Sequence, residues 1–401
     1  MRLERSPKAD REAGIRTVLP QETLDRVMLL LPQAGLDPLE DITPNDNLGI
    51  PVYSISRSEP LLGASFVYNG KGPTVEQARA SAAMEALERF SAIQRPDDPV
   101  VRATIREACD AIWALDPREL ILPEPAQRHV LSGEIAWAEG YELLSGESIW
   151  VPANAVFHPY IPAGDMLLFR YNSNGIASGN TLEEAILHAL LELVERDAWS
   201  IAEYRRRSRA DIILDDESAV SYKLKQAFEA AGVEVHMKDI SSDIGIYTFA
   251  AAADDVKTKD PEMLVIGVGS HLNPEVAAIR ALTELAQSRT THKHGRRVKE
   301  RDREETRSLG YDRLKALNRM WYGPAGETVK LSEMELLDTP YVLDDIEVVL
   351  DRLISIGADK VIIVDLTRED LGVPVVRAIV PGLEVYTIDP ERVGWRLQHA
   401  D

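Results

Sequence analysis

The 401-residue chain is predicted to be a mixed α/β (α+β) protein, on three observations. Short apolar or alternating runs bounded by Gly, Pro and Asn, such as "LGIPVYSISR" and "IYTFAAAAD", read as strands. Longer stretches with apolar residues three and four apart, such as "NTLEEAILHALLELVERDAW", read as helices. The two kinds alternate along the chain without an obvious flexible linker. Hydrophobic residues make up 45% and charged residues 28%, enough apolar material for a sizeable core and too much for wholesale disorder.

Residues 20–35 are expected to form a short helix, with Pro20 near its start and Gly35 as its stop. The strands "LGIPVYSISR" and "LLGASFVYNGKG" follow, then a helix over 74–92. Segment 100–165 is Pro-rich and is expected to mix helix, loop and short strands. "MLLFRYNSNG" reads as a strand entering the helix that begins near Thr181. An amphipathic helix over 218–232 precedes the strands "VEVHMKDI", "IYTFAAAAD" and "MLVIGVGS". A helix over 274–291 comes next. The polar stretch 293–309 is expected to be a solvated loop or helix end, with a substrate lid as the alternative. A helix over 344–356 and the strands "KVIIVDLT" and "VPVVRAIVPG" complete the pattern.

The bulk numbers exclude several function classes. A net charge of −21 opposes general nucleic-acid binding, which needs a basic surface. It does not oppose a polyanion such as ATP if divalent cations bridge the two. No apolar run is long enough to span a membrane, and the charged N-terminus has no signal-peptide core. The single cysteine, Cys109, rules out an internal disulfide and multi-cysteine metal sites, and is expected to be a small core residue. The cytoplasm is the expected compartment.

The chain contains a threefold internal repeat. "GPTVEQARASAAMEALER" (72–89) and "GNTLEEAILHALLELVER" (179–196) both fit G-x-T-x-E-x-A-x-x-x-A-x-x-E-x-x-E-R. "HLNPEVAAIRALTELAQS" (271–288) keeps E-x-A-x-x-x-A-x-x-E, with Asn273 in the Thr slot and Gln287 in the last Glu slot. Each copy follows an apolar strand and a Gly-containing turn, so the unit is strand, turn, capped helix. Thr74, Thr181 and Asn273 are the expected N-caps.

At about 100° per residue, Glu184, His188, Glu192 and Glu195 fall within an arc of about 80°. Gln77, Ser81, Glu85 and Glu88 form a similar stripe on the first helix, and Arg280, Glu284 and Gln287 one on the third. A solvated face is an adequate reading of the first stripe alone. It fails for 183–198, where Ala, Leu, Ile and Val fill nearly every other direction and enclose the helix. Enclosed carboxylates on one stripe repel and are costly to bury unpaired, and a bridging cation relieves both problems. Oxygen-only ligands favour Mg²⁺ over zinc. Structural pairing with Arg196 or Arg280 is the alternative. The turns "NGKGPT" and "SNGIASGNT" lie at helix N-termini that attract phosphate, with Lys71, Asn180 and Arg196 as further donors. Neither turn is a P-loop or a Rossmann fingerprint. The residues therefore point to a non-standard nucleotide site with several Mg²⁺ ions.

The set "NGKGPTVEQARASAAMEALERFS", "SNGIASGNTLEEAILHALLELVERDA", "AIRALTELAQSR" and "VVRAIVPGLEVY" resembles the YcaO family, in order, over roughly residues 45–390. The resemblance implies a YcaO domain over 45–401, with a motif-bearing core to about 295 and a C-terminal part from about 310, preceded by an arm and helix over 1–44. It implies ATP and Mg²⁺ as cofactors. Carried over by position, Glu85, Glu88, Glu184, Glu192, Glu195 and Glu284 are the expected metal ligands. Arg16, Thr23, Lys71, Ser81, Asn180, Glu184, Arg196, Gln287 and Arg289 are the expected nucleotide contacts; Arg16 and Thr23 stand where relatives have Lys and Ser. Ala177 replaces a Ser found in some relatives. The implied chemistry is addition of a nucleophile to a peptide amide carbon, transfer of the γ-phosphoryl group to the amide oxygen, and loss of phosphate. No general base is assigned among His158, His188 and His292. Arg377 either faces the site or packs a strand. The chain is expected to be stand-alone, and "GWRLQHAD" lacks the Pro-rich tail of many azoline-forming members. The resemblance is greatest to archaeal members linked to thioamidation of methyl-coenzyme M reductase, which implies a peptide or protein substrate, a TfuA-like sulfide-supplying partner and a homodimer. An azoline- or amidine-forming enzyme and a non-catalytic ATP-binding subunit are the alternatives.

Overall fold

Each repeat folds as a strand running into a capped helix. Strand Ala64–Lys71 leads into helix Val75–Ser91, Ile176–Ser178 into Leu182–Arg205, and Ile266–His271 into Pro274–His294. These are the first, second and third seam helices below. The three N-caps stand as expected. Thr74 accepts from the Gln77 N–H at 3.3 Å, Thr181 from Glu184 at 3.2 Å, and Asn273 from Glu275 at 3.0 Å. The computed structural model describes residues 1–9, 14–59, 64–111, 113–130, 133–294 and 300–400.

The three seam strands belong to three different sheets, and each ends its sheet's strand order. Ala64–Lys71 closes a three-stranded antiparallel sheet. Ile266–His271 begins a five-stranded sheet that runs through Tyr247–Asp254, Glu234–Asp239 and Ala210–Ile213 to a parallel partner, Thr328–Lys330. Ile176–Ser178 ends a six-stranded sheet beside Val375–Ile379 and Ile362–Asp365. Each seam helix packs on its own strand and on the strand of the next unit. The first also touches Ile176–Ser178, the second Ile266–His271, and the third Ala64–Lys71. This cyclic packing turns the three polar stripes toward one another.

Glycine sets how closely helix and strand approach. A Cβ on Gly70 would lie 2.0 Å from the Ala82 nitrogen, and one on Gly267 would lie 2.2 Å from the Leu285 nitrogen. Both clashes are with backbone, so no rotamer relieves them. Gly267→Val is expected to destabilise by at least about 3 kcal/mol, the upper end for overpacking, measured by denaturant unfolding.

Both chain ends brace this core. Lys8 is fully enclosed between Asp338 at 3.1 Å and Asp345 at 2.6 Å. Arg396 forks onto Asp197 of the second seam helix with two contacts of 2.9 Å, and also reaches Asp243 at 2.5 Å. Arg205 of the same helix donates to the Leu397 carbonyl.

Three expectations need correction. "MLLFRYNSNG" is not a strand. The Asn154 side chain accepts from the Leu168 and Phe169 N–H groups, Asn172 caps the Asn174 N–H, and Gly175 turns at φ +83°. Only Ile176–Ser178 pairs. The first helix stops at Val27 and continues to Gly35 as turns. Cys109 is exposed, because helix Ile105–Ala111 buries Ala108 instead. The polar stretch 293–309 supplies the end of the third seam helix and a helix over Glu300–Leu309; the lid reading falls partly on residues 295–299, outside the described residues. Among the described residues, no helix is long and apolar enough to cross a membrane.

Candidate functional site

The seam begins where the N-terminal arm meets the second seam helix. Glu184 is buried, and its oxygens accept from Thr17 N (2.5 Å), Thr17 Oγ1 (2.6 Å), Arg16 Nη1 (3.3 Å), Asn180 N (2.9 Å) and Asn180 Nδ2 (3.1 Å). Burial pushes its pKa up, but Arg16 and these donors outweigh that and hold it below the usual carboxylate range. Thr23 and Arg26 both donate to the Asn180 Oδ1, each at 3.0 Å. Arg16, Thr23, Asn180 and Glu184 are thus brought together, joined by Thr17 and Arg26, which the sequence reading did not select. Both Glu184 oxygens accept from protein donors in this arrangement.

Two turns further along the helix, carboxylates crowd. Burial pushes Glu88 up to about 8, against the pull of Arg89 and helped by Glu192 and Glu85. It accepts from the Ser178 hydroxyl at 3.2 Å and pairs with Arg89 Nη1 at 3.4 Å. Burial also raises Glu192, despite Arg89, Arg196, Arg377 and Arg280 around it. Glu195 is pushed up to about 7 by burial and by Glu284, although Arg280 lies 3.6 Å away and the Ser270 N–H donates at 3.0 Å. Glu284 is half-buried, and its 2.5 Å ion pair with Lys71, with help from Arg196 and Arg280, holds it below the usual carboxylate range despite desolvation. Glu85 sits beside Arg89 at 4.0 Å. Ser81 lies one turn before Glu85, and Gln287 one turn after Glu284, lining a cavity of about 530 Å³ with Glu203, Trp321 and Tyr322.

These residues fit a divalent cation and a polyanion. Repelling buried acids held in their proton-bound range lack positive charge. The enclosed Arg196 Nε and Arg280 Nε lack a hydrogen-bond acceptor. His188, half-buried and hydrogen-bonded to the Ser178 backbone, is held well below its usual range by desolvation and by Arg280, Arg16 and Lys71. Protons on Glu88 and Glu195 compete with any metal. Mg²⁺ affinity is therefore expected to rise as pH goes from 6 to 9, approaching about tenfold per pH unit where one proton is displaced. Calorimetry in buffers of different ionisation enthalpy checks this, and proton uptake on Mg²⁺ binding would contradict it.

Arg289 does not join the seam. It lies five residues beyond Glu284, about 140° around the helix, fully buried with its Nε 3.0 Å from Asp46 and Nη2 3.6 Å from Asp255. It pins the helix from behind. Conversely, Arg89, Arg280 and Arg377 enter the site. Arg89 was findable, since it fills the same repeat slot as Arg196. A separate group of metal-ligand type, Glu234, His236 and Asp254, lies on the five-stranded sheet, where the Lys315 ammonium and the Tyr311 hydroxyl already take Asp254.

The family described as YcaO cyclodehydratase, ATP- and Mg²⁺-binding, matches residues 69–384. The chain belongs to the YcaO family. An uncharacterized protein of Methanothermobacter thermautotrophicus is 48% identical over 96% of this chain and 98% of its own length. A Rhizobium leguminosarum bv. trifolii protein, named for its place in a tfuA 3′ region, is 32% identical over 96% and 92%. The structure of YcaO from Methanopyrus kandleri bound with AMPPCP and Mg²⁺ superposes with a TM-score of 0.81 at 33% identity, covering 97% of this chain and 98% of that one. YcaO proteins are ATP-dependent enzymes, and the acidic seam is the feature of this member that suits such a cofactor pair.

Proposed function

We propose that this YcaO protein activates a backbone amide of a peptide or protein substrate by phosphorylating its oxygen, and installs a thioamide with sulfide from a TfuA-like partner. The observation that carries amide activation is the cluster of buried and half-buried, mutually repelling carboxylates on three cyclically packed helices, without a nucleophile–base pair among the residues that line it. Glu88, Glu192, Glu195 and Glu284, with Glu85 at the edge, would hold Mg²⁺, which supplies neutralisation of phosphate charge. Arg16, Thr23, Asn180 and Glu184 would seat the nucleoside end, while Lys71, Arg196 and Arg280 would face the phosphates. Ser81 and Gln287 flank them. Kinship to the two archaeal proteins and the tfuA-linked relative supports the thioamide branch, with methyl-coenzyme M reductase as the substrate to try first. The family's description as cyclodehydratase supports azoline formation as the second reading.

The test is to incubate the protein with ATP, Mg²⁺, sulfide and a panel of peptides, and to weigh the products. Replacement of one oxygen by sulfur is the expected result. Loss of one water would select the azoline reading, and ATP hydrolysis with no peptide altered would point to an accessory role.

A further inference from the structure

Beside the seam lies a second cavity, of about 300 Å³, which the nucleotide reading does not use. Glu85 and Arg89 form one wall. Phe66, Tyr68, Ile93 and Pro159 give it an apolar side, and His158 and Ser173 add polar groups. We infer that this cavity seats the peptide segment whose backbone amide is to be activated. The inference rests on the functional reading above and extends it to the substrate side.

Three observations support it. The first is position. Glu184, tied to the N-terminal arm, and Glu192 are eight residues apart, about 12 Å along the helix. Glu85 and Arg89, which line the cavity, fill the repeat slots of Glu192 and Arg196, whereas Arg16 of the arm meets Glu184. The cavity therefore opens at the end of the seam away from the arm. A peptide oxygen must reach the terminal phosphate at that end if the nucleoside lies at the arm.

The second is chemistry. A neutral amide has no charge to offer the seam, so it needs a drier, uncharged wall, and the aromatic and proline side chains supply one. The third is unfinished hydrogen bonding. His158 Nδ1 and Arg377 Nε are enclosed atoms without a hydrogen-bond partner, and so is Asn174 Oδ1 next to Ser173. Burial, with Arg89 and Arg377 nearby, pushes His158 down to about 4, so its ring is neutral at pH 7. A neutral imidazole offers one donor and one acceptor, which matches a backbone amide. Tyr171, edge-on to His158 with ring centroids 5.4 Å apart and itself exposed, forms the rim. His158 is thus a positioning residue for the peptide.

Disulfide capture tests this without knowledge of the natural substrate. Ser173→Cys is made in a Cys109→Ser background, leaving one thiol at the cavity; the wild type, with exposed Cys109 alone, is the reference. Each is equilibrated with the disulfide of N-acetyl-Phe-Gly-cysteamine under increasing 2-mercaptoethanol. The peptide is expected to survive about tenfold more reductant at the cavity than at Cys109, the scale of one buried polar partner gained. Adding His158→Ala should remove most of that advantage, and His158→Asn, which keeps a donor and an acceptor, should restore part of it. Equal resistance at the two thiols overturns the assignment. So does loss of Mg·ATP binding on capture, because the cavity would then belong to the nucleotide. If uncaptured wild type binds no Mg·ATP while capture stays selective, the nucleotide reading falls and the peptide site stands.

Discussion

Glu195→Gln is expected to leave a folded protein that has lost ATP turnover by two to three orders of magnitude, on the order of what one charge-stabilising group contributes. The amide keeps an oxygen for the Ser270 N–H, so the local geometry survives. What disappears is the negative charge at the crowded centre of the seam. The same change should raise metal-free stability at pH 8, since wild-type Glu195 must ionise there in a buried place beside Glu284. A raised acid pKa costs folded-state stability above the unfolded value and increasingly so up to the folded one, about 7 here. Mg²⁺ should stabilise the wild type and not the variant. Paired measurements of turnover and thermal melting, with and without Mg²⁺, decide the matter. Wild-type turnover in Glu195→Gln would remove this residue from the metal set. Glu192→Ala is expected to behave alike in turnover.

Glu184→Ala should fail differently, by releasing the arm. Five hydrogen-bond donors lose their shared acceptor, and the Arg16 guanidinium loses its counter-charge. Breaking a fully buried pair costs about 3–5 kcal/mol, but Arg16 is 34% exposed, which brings the expectation nearer 3. Denaturant unfolding gives the stability, and protease cleavage between residues 14 and 20 reports arm release. Nucleotide affinity should fall together with arm protection. An arm that stays protected in the variant would show that its anchorage lies elsewhere, for example at Lys8.

The site was readable in the sequence to the extent that it follows the helical period. The spacing of Glu85 and Glu88, and of Glu192 and Glu195, with an N-cap at a constant distance upstream, marks three helices and one face of each. That three such faces meet is not a property of any one helix. It depends on each seam strand being the last of its sheet, a long-range fact with no local signature. Arg289 stands apart from the seam for a related reason. It follows the third motif in sequence but points away from it, and the helical angle alone could have shown this. Thr17 and Arg26 were invisible because their partners, Glu184 and Asn180, lie more than 150 residues away in the chain. The segment "MLLFRYNSNG" misled because its apolar start resembles a strand, while the Asn side chains that satisfy its backbone leave no periodic trace.

The fork between Arg396 and Asp197 carries a practical corollary. Asp197 stands two residues after Glu195, on the opposite side of the same helix, so the short helix Arg396–His399 acts as a buttress behind the acidic groove. Nicking or mutating residues 396–400 would then blunt catalysis at a distance, well before the globule melts. A purification handle fused there deserves removal before rates are compared.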